Sequence, residues 1–180
     1  MDNFLKEKIV HELYRINKLF KSGRSLLDLY RIKEPDFVEA SAAGSFLQSF
    51  YNGIESIILL IFKNIGENIP TDLHWHKKLL DETFVANEKR TILFRNEHKE
   101  KLFEYLSFRH YFRHSYGYEI DWKRLTPLIN GVEEMWKALE DDIKKYLKDN
   151  WDNQCRITEI AGLLKIKKDE KISIIFERFW

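Results

Sequence analysis

DFVEASAAGSFLQSFYNGIESIILLIFKNIG, residues 36–66, decides the fold. Its apolar residues Phe46, Leu47, Phe50, Tyr51, Ile54, Ile57, Ile58, Leu59, Ile61 and Phe62 fall on most faces of a 3.6-residue helix. A helix that is apolar nearly all round must be enclosed by others, so this segment predicts the centre of a bundle. Asp36, just after Pro35, predicts the N-cap, and Gly66 the stop. On the N-terminal side, Phe4, Leu5, Ile9, Leu13, Ile16, Phe20, Leu27 and Leu29 recur mostly at three- or four-residue steps. That is one amphipathic helix, or two stacked ones divided at Ser22-Gly23.

Beyond Gly66, Pro70 and Asp72 predict a loop and His76 to Phe84 a short helix. Asn96 predicts the cap of a further helix through Leu102, Phe103, Tyr105, Leu106 and Phe108 into Arg109–Tyr116, ended near Gly117. Asp121 or Thr126 opens the last, which carries Leu128, Val132, Met135, Leu139, Ile143 and Tyr146 on one stripe to about Lys148. Residues 1–150 thus read as an all-α antiparallel bundle of four to five helices. Residues 151–180 have no sustained period and form an extension left unassigned.

Composition agrees with that reading. A chain of 180 residues fits one domain at ~100–200 residues each, and seven Gly with three Pro are about half the usual share. So few breakers favour long helices. Thirty Lys and Arg against 29 Asp and Glu leave a net charge of +1, which excludes a basic coat for nucleic acid but not a local basic site. The single Cys155 excludes an intramolecular disulfide and a zinc ribbon, and a reducing cytoplasm is the default. The longest uninterrupted apolar run, Ile57 to Phe62, is far short of the ~20 residues of a membrane span, and a soluble protein is expected.

Local chemistry concentrates in residues 89–116. Lys89, Arg90, Arg95, Lys99, Lys101, Arg109 and Arg113 stand against Glu97, Glu100 and Glu104, and His98, His110 and His114 fall in or beside the same run. Its densest part, FRHYFRHSYGY at 108–118, interleaves Arg and His with aromatics. Guanidinium forks match phosphate oxygens, imidazole titrates near neutral pH and aromatics stack on bases, so the combination suits an RNA phosphodiester. Arg109 and His114 are five residues apart, about 140° around a helix, and converge only where the helix ends or bends. A polar helix end of this kind is expected to tolerate truncation of either side chain.

Plainer readings account for the same residues. The cations complement the dipole at a helix C-terminus, and the aromatics face the core. His110 and His114, one turn apart, form half of a zinc site if His74 or His76 joins them, although no Glu lies inside the pair. Trp75-His76 reads as an aromatic anchor at a helix start, and His11 and the run Glu140-Asp141-Asp142 as solvent faces. No Gly-rich phosphate loop or nucleophilic triad can be picked out by spacing.

Arg109-His110-Tyr111-Phe112-Arg113-His114-Ser115-Tyr116 resembles the Arg-x4-His motif of HEPN-superfamily ribonucleases and, with Tyr116, the longer Arg-x4-His-x-Tyr of HepT-like toxins. The segments at 50–66, 69–80 and 108–125 resemble, in order, that family's central helix, its Trp-His loop and its active-site turn; the similarity covers roughly residues 1–150. The resemblance implies a HEPN-like homodimeric bundle that cuts RNA without a metal or other cofactor, Arg109 and His114 being the catalytic pair near a shared cleft. It implies His110 as the supporting polar residue after the arginine and Tyr116 as a tyrosine open to AMPylation. The implied partner is a minimal nucleotidyltransferase antitoxin. Arg113 is outside the motif and is assigned a phosphate contact. In such cleavage a base takes the 2′-hydroxyl proton and a fixed cation stabilises the phosphorane, roles that suit His114 and Arg109. The leaving-group acid is either His110 or a residue of the second protomer. HEPN-like domains also serve as non-catalytic modules that bind nucleotide or a nucleotidyltransferase, and that alternative stands beside the nuclease.

Overall fold

The computed structural model describes residues 3–115 and 121–150. Among them are six α-helices, one 3-10 turn and no strand. The helices are α1 (Asn3–Ser22), α2 (Arg24–Leu29), α3 (Phe37–Asn64), α4 (Trp75–Glu82), α5 (Lys99–His114) and α6 (Trp122–Asn150). Four are long and carry the bundle; α2 and α4 are short adjuncts. The all-α bundle read from the sequence is the fold observed. Tyr116, Gly117 and residues 151–180, on which several expectations fall, lie outside the described residues.

The ends of α3 are set as its sequence predicts. The Asp36 carboxylate accepts from the Glu39 N–H at 2.8 Å while the Glu39 carboxylate accepts from the Asp36 N–H at 2.9 Å, a reciprocal capping box that satisfies two otherwise orphan donors. At the other end Gly66 takes a φ of +68°, the left-handed turn that glycine adopts without cost. Between them Phe50, Ile54, Ile57 and Ile61 are completely enclosed. By length and composition α3 could cross a membrane; here α1, α5 and α6 pack along it, as a core helix requires.

An aromatic cluster joins the four long helices. Phe20 of α1 meets Phe46 and Phe50 of α3 edge-on at 5.2 and 5.7 Å, and Phe50 in turn meets Tyr105 of α5 and Trp136 of α6 at 5.4 and 6.2 Å. Such pairs add about 0.5–1.5 kcal/mol each beyond burial. The polar edges of these rings are matched: Tyr105 donates to the Leu128 carbonyl at 2.9 Å, and the Trp136 indole donates to Asn17 at 3.0 Å. Gly53 lets α1 approach α3 closely, since a Cβ there would stand 2.7 Å from Ile16 Cγ1.

Two local expectations are corrected and one alternative is resolved. Asn96 opens the 3-10 turn Asn96–His98 rather than capping α5, whose N-cap is His98. Of the two candidates for the last helix start it is Asp121 that serves, its carboxylate accepting from the Lys123 N–H at 2.9 Å. In the acidic run at 140–142, Asp142 is buried instead of solvated. It accepts from the Arg95 N–H at 3.1 Å and from Arg95 Nε at 2.7 Å, so it anchors the start of the 3-10 turn. His11 does lie on an exposed face.

Candidate functional site

The face that α5 turns toward the bundle carries Leu102, Tyr105, Leu106, Phe108 and, one turn before the helix end, Arg109. A guanidinium only 8% exposed must find partners in the protein, because an unpaired buried charge is prohibitive. It finds them on α3. Arg109 Nε donates to Asn52 Oδ1 at 2.6 Å and Nη2 to Glu55 Oε2 at 3.1 Å. Asn52 and Glu55 are three residues apart and so share a helix face. Among the described residues Nη1 has no hydrogen-bond partner.

The second oxygen of Glu55 extends the network. Oε1 meets Nδ1 of His76, the second residue of α4, whose ring stacks on Trp75 with centroids 3.6 Å apart. One carboxylate thereby joins a guanidinium from α5 to an imidazole from α4. Tyr51 lies beside them, with Arg109 Cζ 5.9 Å from its ring centroid. Burial pushes the Tyr51 phenol well above its ordinary value, the Glu55 charge adds to that, and Arg109 opposes it; the ring remains a neutral phenol.

His110, Arg113 and His114 stand elsewhere. Because α5 remains helical through His114, the five-residue spacing turns His114 away from Arg109. His114 is exposed, as are His110 and Arg113, and the two imidazoles lie with centroids 4.7 Å apart and planes tilted by 56°. His76, offered as a third ligand beside them, is bound to Glu55 instead. Among the described residues no group of three or more His, Cys, Asp or Glu is arranged to hold a metal ion. Phe112 stacks on Phe108 at 5.9 Å and fills the space over Gly44, where a Cβ would run into its ring. That contact seats the end of α5 on α3.

The basic window is largely spent within the molecule. Arg90 is buried against the Phe62 ring at 4.5 Å, with donors on Glu67 and on the Val85 and Glu82 carbonyls. Arg95 pairs with Asp142, Lys99 with Asp81 and Lys101 with Glu104. Arg113 has no ion-pair partner among the described residues. Asn52 and Glu55 are absent from the sequence-based candidates; the signal that could have found them is a carboxylate and an amide at a three-residue spacing between the apolar residues Tyr51, Ile54 and Ile58. Sequence alone offers His76 as a helix-start residue or a zinc ligand and Arg109 as part of a truncatable helix end, whereas Arg109 is buried and its removal would take one of the two side-chain partners from the Glu55 carboxylate.

A family model described as HepT-like protein matches residues 42–150. The chain belongs to the HepT-like family. It is thereby a HEPN-superfamily protein, and the matched region contains Asn52, Glu55, His76, Arg109 and His114, while α1 and α2 precede it. No curated protein and no solved structure matches this HepT-like chain.

Proposed function

We propose that this HepT-like protein is a metal-independent endoribonuclease toxin whose Arg-x4-His pair, Arg109 and His114, cleaves RNA, and that a minimal nucleotidyltransferase neutralises it. The observation that carries the reading is Arg109 itself. Its guanidinium is held by Asn52 and Glu55 with one nitrogen uncommitted among the described residues, which makes it a fixed cation rather than a mobile surface charge. A preorganised donor of that kind stabilises charge that develops in a transition state without reorganising. His114, exposed at the end of α5, supplies the base from the second protomer of a homodimer: it takes the 2′-hydroxyl proton, the 2′-oxygen attacks phosphorus, and a 2′,3′-cyclic phosphate forms. His110 and Arg113, exposed on the same helix end, contact the RNA backbone. Tyr116 is the acceptor proposed for AMP, whose phosphate would pair with a guanidinium in place of the RNA phosphate. Nothing in this reading requires a membrane, and it acts in the cytoplasm.

One observation favours a second reading, a non-catalytic HEPN module that binds nucleotide or a nucleotidyltransferase: two arms of Arg109 are already engaged and His114 turns away from it in the same chain. Incubation of the pure protein with RNA, with and without EDTA, separates the two. Cleavage that persists in EDTA, yields 2′,3′-cyclic ends and is lost in Arg109→Lys and His114→Ala supports the nuclease. Undiminished activity in either folded variant refutes the assignment of that residue, and no cleavage at all leaves the binding module. Light scattering showing a monomer at micromolar concentration removes the dimer, and an unchanged intact mass after co-expression with the nucleotidyltransferase removes the modification.

A further inference from the structure

We infer that His76 is the proton donor to the leaving 5′-oxygen, a role that rests on the ribonuclease reading above and fills its missing acid. Two partners of one carboxylate carry the argument. Glu55 Oε1 holds Nδ1 of His76 while Oε2 holds Nη2 of Arg109, so the imidazole and the guanidinium flank the same group and are fixed relative to each other. An Nδ1–H bound by a carboxylate orients the ring and directs Nε2 away from that carboxylate. Nε2 has no hydrogen-bond partner among the described residues. The ring plane is set a second time by the stack on Trp75, and His76 is partly exposed where Glu55 and Arg109 are buried. Nη1 of Arg109 and Nε2 of His76, neither with a hydrogen-bond partner among the described residues, are thus carried by two side chains that share Glu55.

The proton accounting closes. His114 takes the proton from the 2′-hydroxyl, the O2′–P bond forms and the P–O5′ bond breaks. Nε2 of His76 gives its proton to O5′, leaving a 5′-hydroxyl, and regains one from water. Glu55 balances the charge of the ring while both nitrogens are protonated, and the guanidinium beside it keeps the cluster net positive for the phosphate.

The test uses an RNA oligonucleotide that the wild-type protein cuts, remade with sulfur in place of O5′ at the mapped scissile linkage. A thiolate leaves without being protonated, so a proton donor is dispensable for that substrate alone. His76→Asn retains an N–H toward Glu55 but has no transferable proton. This variant is expected to cut the oxygen-linked RNA about 10²–10⁴-fold more slowly and the sulfur-linked RNA at close to the wild-type rate. Wild-type cleavage of the oxygen-linked RNA by His76→Asn overturns the inference and leaves the ribonuclease standing. Loss on both linkages also overturns it, because His76 would then only support the bundle. If the wild-type protein cuts no RNA from which such a substrate can be made, the ribonuclease reading and this inference fall together.

Discussion

Glu55→Gln tests whether the buried network holds the fold as described. The substitution keeps the shape of the side chain and one acceptor for Arg109 but removes the charge that compensates a guanidinium 8% exposed. At the observed 3.1 Å and an effective dielectric of ~20, the attraction lost is about 5 kcal/mol before solvation is counted. Removal of one partner from a buried pair typically costs about 3–5 kcal/mol, and the retained amide acceptor favours the lower end. With a urea dependence of ~1–3 kcal/mol/M, a loss of ~3 kcal/mol moves the unfolding midpoint down by roughly 1–3 M. The exposed pairs of Arg24 and Arg31 with Glu133 should behave differently, contributing little and fading with salt. The loss in Glu55→Gln should persist in 1 M NaCl, since the pair is shielded from solvent ions. Replacing both partners, Glu55→Leu with Arg109→Met, should cost less than the sum of the single changes, because neither charge is then left alone. A urea midpoint for Glu55→Gln equivalent to less than about 1 kcal/mol, or a loss that vanishes at high salt, would refute the reasoning.

Other consequences are accessible to the same unfolding measurements. Asp36→Ala removes one half of the α3 capping box and should cost about 0.5–2 kcal/mol; an unchanged midpoint would show that the cap contributes nothing. Gly131→Ala should stabilise α6 by up to about 1 kcal/mol, because its nearest atom is 3.9 Å away and the helix gains propensity. Gly53→Ala makes the same gain but meets Ile16 at 2.7 Å, and overpacking of about 1–3 kcal/mol should win; equal effects at the two sites would contradict the close approach of α1. Burial raises the phenols of Tyr30, Tyr51 and Tyr105 above their ordinary value. Their folded pKa values exceed the unfolded ~10, so the unfolded chain loses protons first and stability is retained below about pH 10 and lost as pH rises above it. Tyr51→Phe should flatten that alkaline loss, and an identical pH profile would argue against a buried phenol there.

How much of this was legible in the sequence depended on whether a residue's role was local. The limits of α3 could be read from Asp36 and Gly66 because caps and stops act within a turn, and its central place followed from apolar residues on nearly every face. Asp142 could not be read, since its burial follows from Arg95 arriving across the fold. The basic excess at 89–116 was visible as charge but not as charge already paired, because Asp81, Asp142 and Glu55 lie far away in sequence. The proposed catalytic pair was named by its motif, whereas Glu55 and His76 lie within the resembling segments at 50–66 and 69–80 but meet Arg109 only when α3 and α4 pack against α5.

The helix itself explains why a motif of this spacing needs partners from elsewhere. Five residues along an α-helix correspond to about 140° of rotation, so a helix that buries Arg109 against α3 necessarily turns His114 outward. Straightening or bending α5 near its end would unseat Phe112 from Gly44 and expose Phe108, so the core resists bringing the two together within one chain. In the proposed ribonuclease the fixed cation and the exposed base therefore belong to different surfaces, and a second protomer must carry His114 to Arg109. The imidazole already present beside the guanidinium is His76. A catalytic site assembled this way has one histidine supplied by packing and one by association, and dilution below the dimer dissociation constant should remove the second while leaving the first in place.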